Sequence, residues 1–204
     1  MTPLILAVDT TGEQGSLALM RGSSVVEEVV MQAPEGFSQI LYGELKALLT
    51  RHGIKPAEID CFAAASGPGS FTGVRVGLAC VKGLAEALGR PAMAVSNLEA
   101  LARCGTGKLR GAVIDARRGE VYGAVYDDGG GLVSPEVVAP YEAWAASLPE
   151  GVEFIWAPRP LARVIAGIAA ERLSRGEAPD PASLDANYVR RSDAEMKWKD
   201  LGRE

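Results

Sequence analysis

The sequence predicts a two-lobed α/β fold built from a duplicated βββαβα unit, and three observations lead there. Cys61 to Ala65 is small and apolar without alternation, as in a strand covered on both faces, and it runs through Gly67-Pro68-Gly69 into a helix expected to reach about Leu88. The stretch Ala7-Val-Asp9-Thr-Thr-Gly-Glu-Gln-Gly-Ser-Leu-Ala-Leu-Met20 is echoed, at an offset of 106 residues, by Val113-Ile-Asp115-Ala-Arg-Arg-Gly-Glu-Val-Tyr-Gly-Ala-Val-Tyr126. Each is a strand ending in Asp, a short polar turn and a second strand, which is the pattern of an internal duplication. The chain has 204 residues, 48% hydrophobic and 23% charged, enough apolar side chain for a sizeable globular core.

The elements follow in order. Pro3 to Val8 reads as a buried strand ending at Asp9-Thr-Thr-Gly12, and Ser16–Met20 with Val25–Met31 complete an antiparallel meander. Ser38 is expected to cap a helix that Gly53 ends near His52, with Leu41, Tyr42, Leu45, Leu48 and Leu49 inward. After the central strand, Ser70 or Thr72 caps the long helix. Ala92–Val95 is a short strand, and Ser96 or Asn97 caps a third helix through about Cys104. Gly105-Thr-Gly107 marks the boundary between an N-terminal lobe, 1–104, and a C-terminal lobe, 105–204. The second lobe repeats the meander through Leu132–Val138. It adds a short helix over 141–148, a strand over 152–156 and a helix over 161–175 with Leu161, Ile165, Ile168, Ala169 and Leu173 inward. A tail from Pro179 holds Asn187-Tyr-Val-Arg190 and a charged, mobile end.

Charge and cysteine content narrow the function classes. The net charge is −5, and the only basic clusters are the pairs Arg117-Arg118 and Arg190-Arg191, so a primary nucleic-acid-binding role is disfavoured. No apolar run reaches membrane-spanning length, and no leader pattern opens the chain. The three cysteines, at 61, 80 and 104, have no metal spacing and read as reduced core thiols of a cytoplasmic protein.

The strand, glycine turn and helix start around Gly67 and Gly69 can face an anion with backbone N–H groups, or can simply let strand and helix pack closely. No Gly-Lys-Ser/Thr follows, and the residues alone favour the packing role. The long helix says more. Val74, Leu78, Val81, Leu84, Ala85 and Leu88 share one apolar face, while Val76, Ala79, Cys80, Gly83 and Ala87 make the opposite side apolar too, but small. The preceding helix carries a matching strip of Ile40, Gly43 and Ala47. A helix apolar on two sides needs cover on two sides, from its own chain or from another protein.

Ile5-Leu-Ala-Val-Asp-Thr-Thr11, Ala65-Ser-Gly-Pro-Gly-Ser-Phe-Thr-Gly-Val-Arg-Val-Gly77, Ala94-Val-Ser-Asn-Leu-Glu-Ala-Leu101 and Ile114-Asp-Ala-Arg-Arg-Gly-Glu-Val-Tyr122 together resemble the bacterial TsaB (formerly YeaZ) family. The resemblance runs through most of the chain and is strongest up to residue 126. One departure is Ala186, where the family tends to have Pro two residues before the Tyr of a Tyr-x-Arg motif. The resemblance implies an actin-like ATPase fold of RNase H-like lobes. It also implies a part in threonylcarbamoyladenosine biosynthesis, the modification of the tRNA adenosine beside the anticodon. TsaD, the transferase of the same fold, carries a His-x-x-x-His metal pair where this chain has Asn97 and Leu101. Leu101 cannot be a ligand, and the chain's single histidine, His52, lies in another helix.

The expected role is therefore a non-catalytic partner that stabilises or activates TsaD, with no catalytic residue and no metal. Ile40, Gly43, Ala47, Val76, Cys80, Gly83 and Ala87 are the expected interface. TsaE is expected to join through the TsaB–TsaD pair, tRNA to be met only indirectly, and a homodimer to form when TsaD is absent. Asp9, Thr10, Gly12, Gly67 and Gly69 are candidates for a vestigial phosphate site, with weak ATP or ADP binding at most, within the complex. Two enzyme readings compete. A glycoprotease-like hydrolase needs Ser70 or a cysteine activated by a base, which a single distant histidine serves poorly. A small-molecule kinase needs a phosphate turn after Asp115, where Ala-Arg-Arg stands instead.

Overall fold

The structure, a computed structural model, describes residues 2–189; the Arg190-Arg191 pair and the charged end lie outside the described residues. Two mixed sheets form. The first has the order β3-β2-β1-β4-β5, from β1 (Leu4–Asp9), β2 (Gln14–Arg21), β3 (Ser24–Gln32), β4 (Cys61–Ala65) and β5 (Ala92–Val95). The second has the order β8-β7-β6-β9, from β6 (Leu109–Arg117), β7 (Glu120–Asp127), β8 (Leu132–Pro140) and β9 (Val152–Trp156). In each, an antiparallel meander is extended by a parallel strand beside its first strand. Among the described residues the second sheet has no counterpart of β5.

The helices are α1 (Leu41–Arg51), α2 (Phe71–Leu88), α3 (Asn97–Ala102), α4 (Tyr141–Ala146) and α5 (Ala162–Ser174). They stack with the sheets in five layers. Leu4, Leu6 and Val8 of β1 face α1 and α2 through Leu45, Leu48, Val74 and Val81. The alternate residues Ile5 and Ala7 face a central core that holds α3 and α5 together with Ala112, Ala124 and Ile155 of the second sheet. Trp144 of α4 closes the far face of the second sheet against Val113, Val121 and Val125.

Each lobe thus lends a helix to the other. α5, from the second half of the chain, packs on β1, β2 and β4, while α3 packs on β6 and β7. The central core is made for this. Ala7, Ala18, Ala63 and Ala65 leave room on the first sheet for Ala162, Ala166 and Ala169 of α5. The first turn of α5 has no cap from its own side chains. Ser16 Oγ accepts from Ala162 N at 3.1 Å and Glu28 Oε1 from Arg163 N at 3.1 Å, so strands of the first sheet cap it.

Two local expectations are corrected and one pair of alternatives is resolved. Ser38 caps nothing: residues 37–40 form a turn, and α1 starts at Leu41 with Ile40 as an uncapped N-cap. Tyr42 is 60% exposed: it lies over Cys80 of α2, with its hydroxyl against that thiol, and not in the core. Ser70 caps α2 by accepting from Gly73 N, so Thr72 lies inside the helix. Among the described residues no helix is long and apolar enough to cross a membrane.

Candidate functional site

The ends of β1 and β4 and the starts of α2 and α3 converge on Asp9, Thr10, Thr11, Gly67, Gly69 and Asn97. The Asp9 carboxylate is buried, and its Oδ1 accepts from Thr11 N at 2.9 Å and from Thr11 Oγ1 at 2.6 Å. Burial pushes its pKa above the usual carboxylate value, against the opposing pull of the two Thr11 bonds. Thr10 Oγ1 donates to Gly73 O at 2.7 Å, and Ser70 N donates to Thr11 O at 2.7 Å. The Asp-Thr-Thr turn is therefore stitched to the first turn of α2.

The glycines make the stitching possible. A Cβ on Gly69 would stand 2.7 Å from Thr11 O, and one on Gly73 would stand 1.9 Å from Thr10 O. Gly67, at φ +101°, turns the chain out of β4 in a conformation that side chains resist. Asn97 clamps that turn. Its Oδ1 accepts from Gly67 N at 2.9 Å, its N donates to Gly67 O at 2.8 Å, and its Nδ2 donates to Thr11 Oγ1 at 2.5 Å. The candidate phosphate residues lie close together, but the N–H groups of Thr11, Gly67 and Ser70 are spent inside the chain. Two clefts flank the turn. One, of about 570 Å³, lies between the lobes and is lined by Gly12, Glu13, Ser70, Asp115, Arg117 and Tyr122. The other, of about 340 Å³, lies between Gly12, the Pro34–Ser38 loop and the start of α2.

The duplication extends to atoms. Arg117 N donates to Asp115 Oδ1 at 2.8 Å, repeating Thr11 N to Asp9. Asp115 is exposed, however, and the turn is tighter: Arg117, Arg118 and Gly119 all have positive φ. Arg117 leans back across the cleft toward Glu13, 3.7 Å away.

The metal pair implied by the resemblance does not fit here. Leu101 is fully buried in the central core, and the Asn97 amide is committed to Gly67 and Thr11. A hydrolase fares no better. Ser70 Oγ caps α2, and His52 sits at the C-terminus of α1 with Nε2 2.6 Å from Glu27 Oε2.

On the outer face of α1 and α2, Gly43, Ala47, Gly83 and Ala87 are exposed, and Ile40 and Val76 are half-buried. A Cβ on Gly43 or Gly83 would meet nothing within 4 Å. Cys80 departs from the expected strip: it is 2% exposed, belongs to the core that α1 and α2 share with the sheet, and is in contact with the Tyr42 hydroxyl of α1. Burial pushes its thiol up to about 11.

Sequence reasoning missed three participants. Gly73 was one of many glycines, and only the approach of Thr10 singles it out. Glu136 on β8 accepts from the Ser96 and Tyr126 hydroxyls and, at 2.6 Å, from Asn187 Nδ2. Asn187 N also donates to Ser66 O at 2.8 Å. The Asn187-Tyr188 motif was visible as a motif, but nothing local said where it docks.

A family model described as TsaD, tRNA N6-adenosine threonylcarbamoyltransferase, matches residues 31–157. The chain is 32% identical over 222 aligned residues to the tRNA threonylcarbamoyladenosine biosynthesis protein TsaB of Bacillus subtilis, covering 95% of this chain and 97% of that protein. It is 36% identical over 149 residues to TsaB of Escherichia coli, covering 66% and 64%. A solved structure of YeaZ from Pseudomonas aeruginosa superposes with a TM-score of 0.79 at 29% identity, over 91% of this chain and 99% of that one. The common architecture is the two-lobed actin-like ATPase fold with its duplicated RNase H-like unit.

Proposed function

This chain belongs to the TsaB family of tRNA threonylcarbamoyladenosine biosynthesis proteins, within the wider group that the TsaD model describes, and from that we propose that it acts as a non-catalytic partner of TsaD. The observation that carries the reading is the state of the two positions that match the TsaD metal pair. A fully buried leucine and a fully engaged asparagine have turned a ligand segment into packing for α3 and a clamp for the Gly67 turn.

The docking surface is the outer strip of Ile40, Gly43, Ala47, Val76, Gly83 and Ala87. Small exposed side chains on two neighbouring helices let a partner's helices approach closely. The test is co-purification with TsaD from the same cell, followed by tRNA modification with and without this chain. Complex formation and loss of modification on omission support the role. Unaided modification by TsaD contradicts it. Gly83→Arg, placed where a side chain meets open space, should leave the fold intact and abolish the complex. Full binding by that variant removes the strip from the interface.

Nucleotide binding by the isolated chain is weak at most on this reading, because the N–H groups of Thr11, Gly67 and Ser70 are already engaged. Calorimetry with ATP and magnesium tests it, and a tight one-to-one isotherm would overturn it.

A further inference from the structure

Beyond α5 the chain does not stay with the second lobe. It returns along the first lobe as a strap. Ala92 N donates to Pro179 O at 3.4 Å, at the edge of β5, and Lys82 Nζ of α2 donates to Ala182 O at 3.0 Å. Leu184 and Ala186 then pack against the core beneath α2. Asn187 is held twice, through its N on Ser66 O and its Nδ2 on Glu136 Oε2. Six contacts along the strap therefore place the next residue, Tyr188.

Tyr188 lies beside Phe71, the first residue of α2, with ring centroids 5.9 Å apart and planes tilted by 37°. The Arg75 guanidinium sits over the Phe71 ring, 3.2 Å from its centroid, and 5.5 Å from that of Tyr188. Both rings remain about half exposed, at 53% and 48%. Among the described residues Arg75 has no carboxylate partner, whereas Arg51, Arg90, Arg103, Arg163 and Arg172 each have one. The result is a cation stacked on Phe71 with Tyr188 at its side, and without a carboxylate partner among the described residues. It stands at the start of α2, one turn before Ala79 on the i, i+4 row of exposed residues that runs on through Gly83 and Ala87, and so continues the outer face of that helix.

We propose that Phe71, Arg75 and Tyr188 form a second contact element for TsaD, which receives a carboxylate side chain of TsaD flanked by an apolar residue. The proposal rests on TsaD being the partner. The chemistry selects the occupant: stacking fixes the guanidinium plane and leaves its donor edge for an anion, while the exposed rings offer apolar area around it. The acidic balance of the rest of the chain makes a phosphate backbone a poor alternative. The strap's role is to bring Tyr188 from the second lobe to a site on the first.

The test is calorimetric titration of the full chain with purified TsaD, for the wild type and for Arg75→Glu, Arg75→Gln and Tyr188→Ala. Arg175→Glu, on the far end of α5, serves as a control. Thermal melts accompany each variant. Arg75→Glu and Tyr188→Ala should weaken the complex at least tenfold, Arg75→Gln less, and the control not at all, with melts close to wild type. The wild-type affinity should fall with added salt more steeply than that of Arg75→Gln. Binding of Arg75→Glu and Tyr188→Ala within twofold of wild type overturns the proposal while leaving the partnership standing. A wild-type chain that does not bind TsaD at all overturns the partnership, and this contact with it.

Discussion

A single carboxylate shows how far the site has moved toward packing. Asp9 is buried, and among the described residues its side-chain hydrogen bonds go to the backbone and hydroxyl of Thr11. Burial is the largest influence, and it raises the pKa. An unfolded chain ionises this aspartate near pH ~4, whereas the folded chain keeps its proton to higher pH. Its contribution to stability is therefore complete below about pH 4 and is lost as pH rises through the folded-state value. Asp9→Asn keeps an acceptor for Thr11 N and never ionises. The stability of Asp9→Asn relative to wild type should accordingly climb from about pH 4 toward neutrality, as read by urea denaturation across that range. A difference that stays flat with pH would mean that Asp9 is ionised without penalty, and so is reached by solvent or by an unseen cation.

At the scale of one element, α2 carries glycines with opposite duties. Gly73 and Gly77 face Thr10, and a Cβ at Gly73 would stand 1.9 Å from the Thr10 carbonyl. Gly83 faces open space on the same helix. Gly73→Ala should cost about 3 kcal/mol or more, because the clash is with backbone that cannot rotate away. Gly83→Ala should stabilise the isolated chain by about 0.5–1 kcal/mol through helix propensity. Chemical denaturation of the two variants gives both signs at once, and equal effects would mean that the helix does not approach the β1 turn as described. A glycine that lowers the stability of an exposed helix is explained best by what must come close to it, which is the reason for placing a partner there.

For the whole molecule, the exchange of helices decides what can fold alone. The first sheet is covered on one face by its own α1 and α2, and on the other by α5 from the second half of the chain. α5 is held at both ends by the first lobe, through Ser16 and Glu28 at its start and through Arg172 on Ala94 O at 3.1 Å and Glu99 at 2.6 Å near its end. A chain cut after Cys104 would expose Ile5, Ala7, Ala63 and Ala65 to water, besides losing the strap. Residues 1–104 expressed alone should therefore be unfolded or aggregated, and the full chain should unfold in one cooperative transition by circular dichroism. A folded 1–104 fragment with native near-ultraviolet signal would show that α5 is dispensable.

Much of this protein was determined by local sequence. The strands around Asp9, Cys61–Ala65 and Asp115 declare themselves by unbroken apolar runs, the long helix by its period and the Ser70 cap, and the duplication by the repeated Asp turn, because these depend on neighbours within a few residues. The small strip of Gly43, Ala47, Gly83 and Ala87 was legible for the same reason, whereas Asn97 and Leu101 stood out only through the family resemblance. What only the tertiary structure decided was contact between distant residues. Helix period shows that α5 has an apolar face but not which sheet receives it. Composition shows that Cys80 is small and apolar but not that Tyr42 covers it. The tail motif shows Asn187 and Tyr188 but not that Glu136, 51 residues earlier than Asn187, pins the one so that the other can reach Phe71 and Arg75. Periodicity fixes the direction of a side chain relative to its own element, whereas the choice of partner is made by the packing of whole layers, to which every element contributes at once.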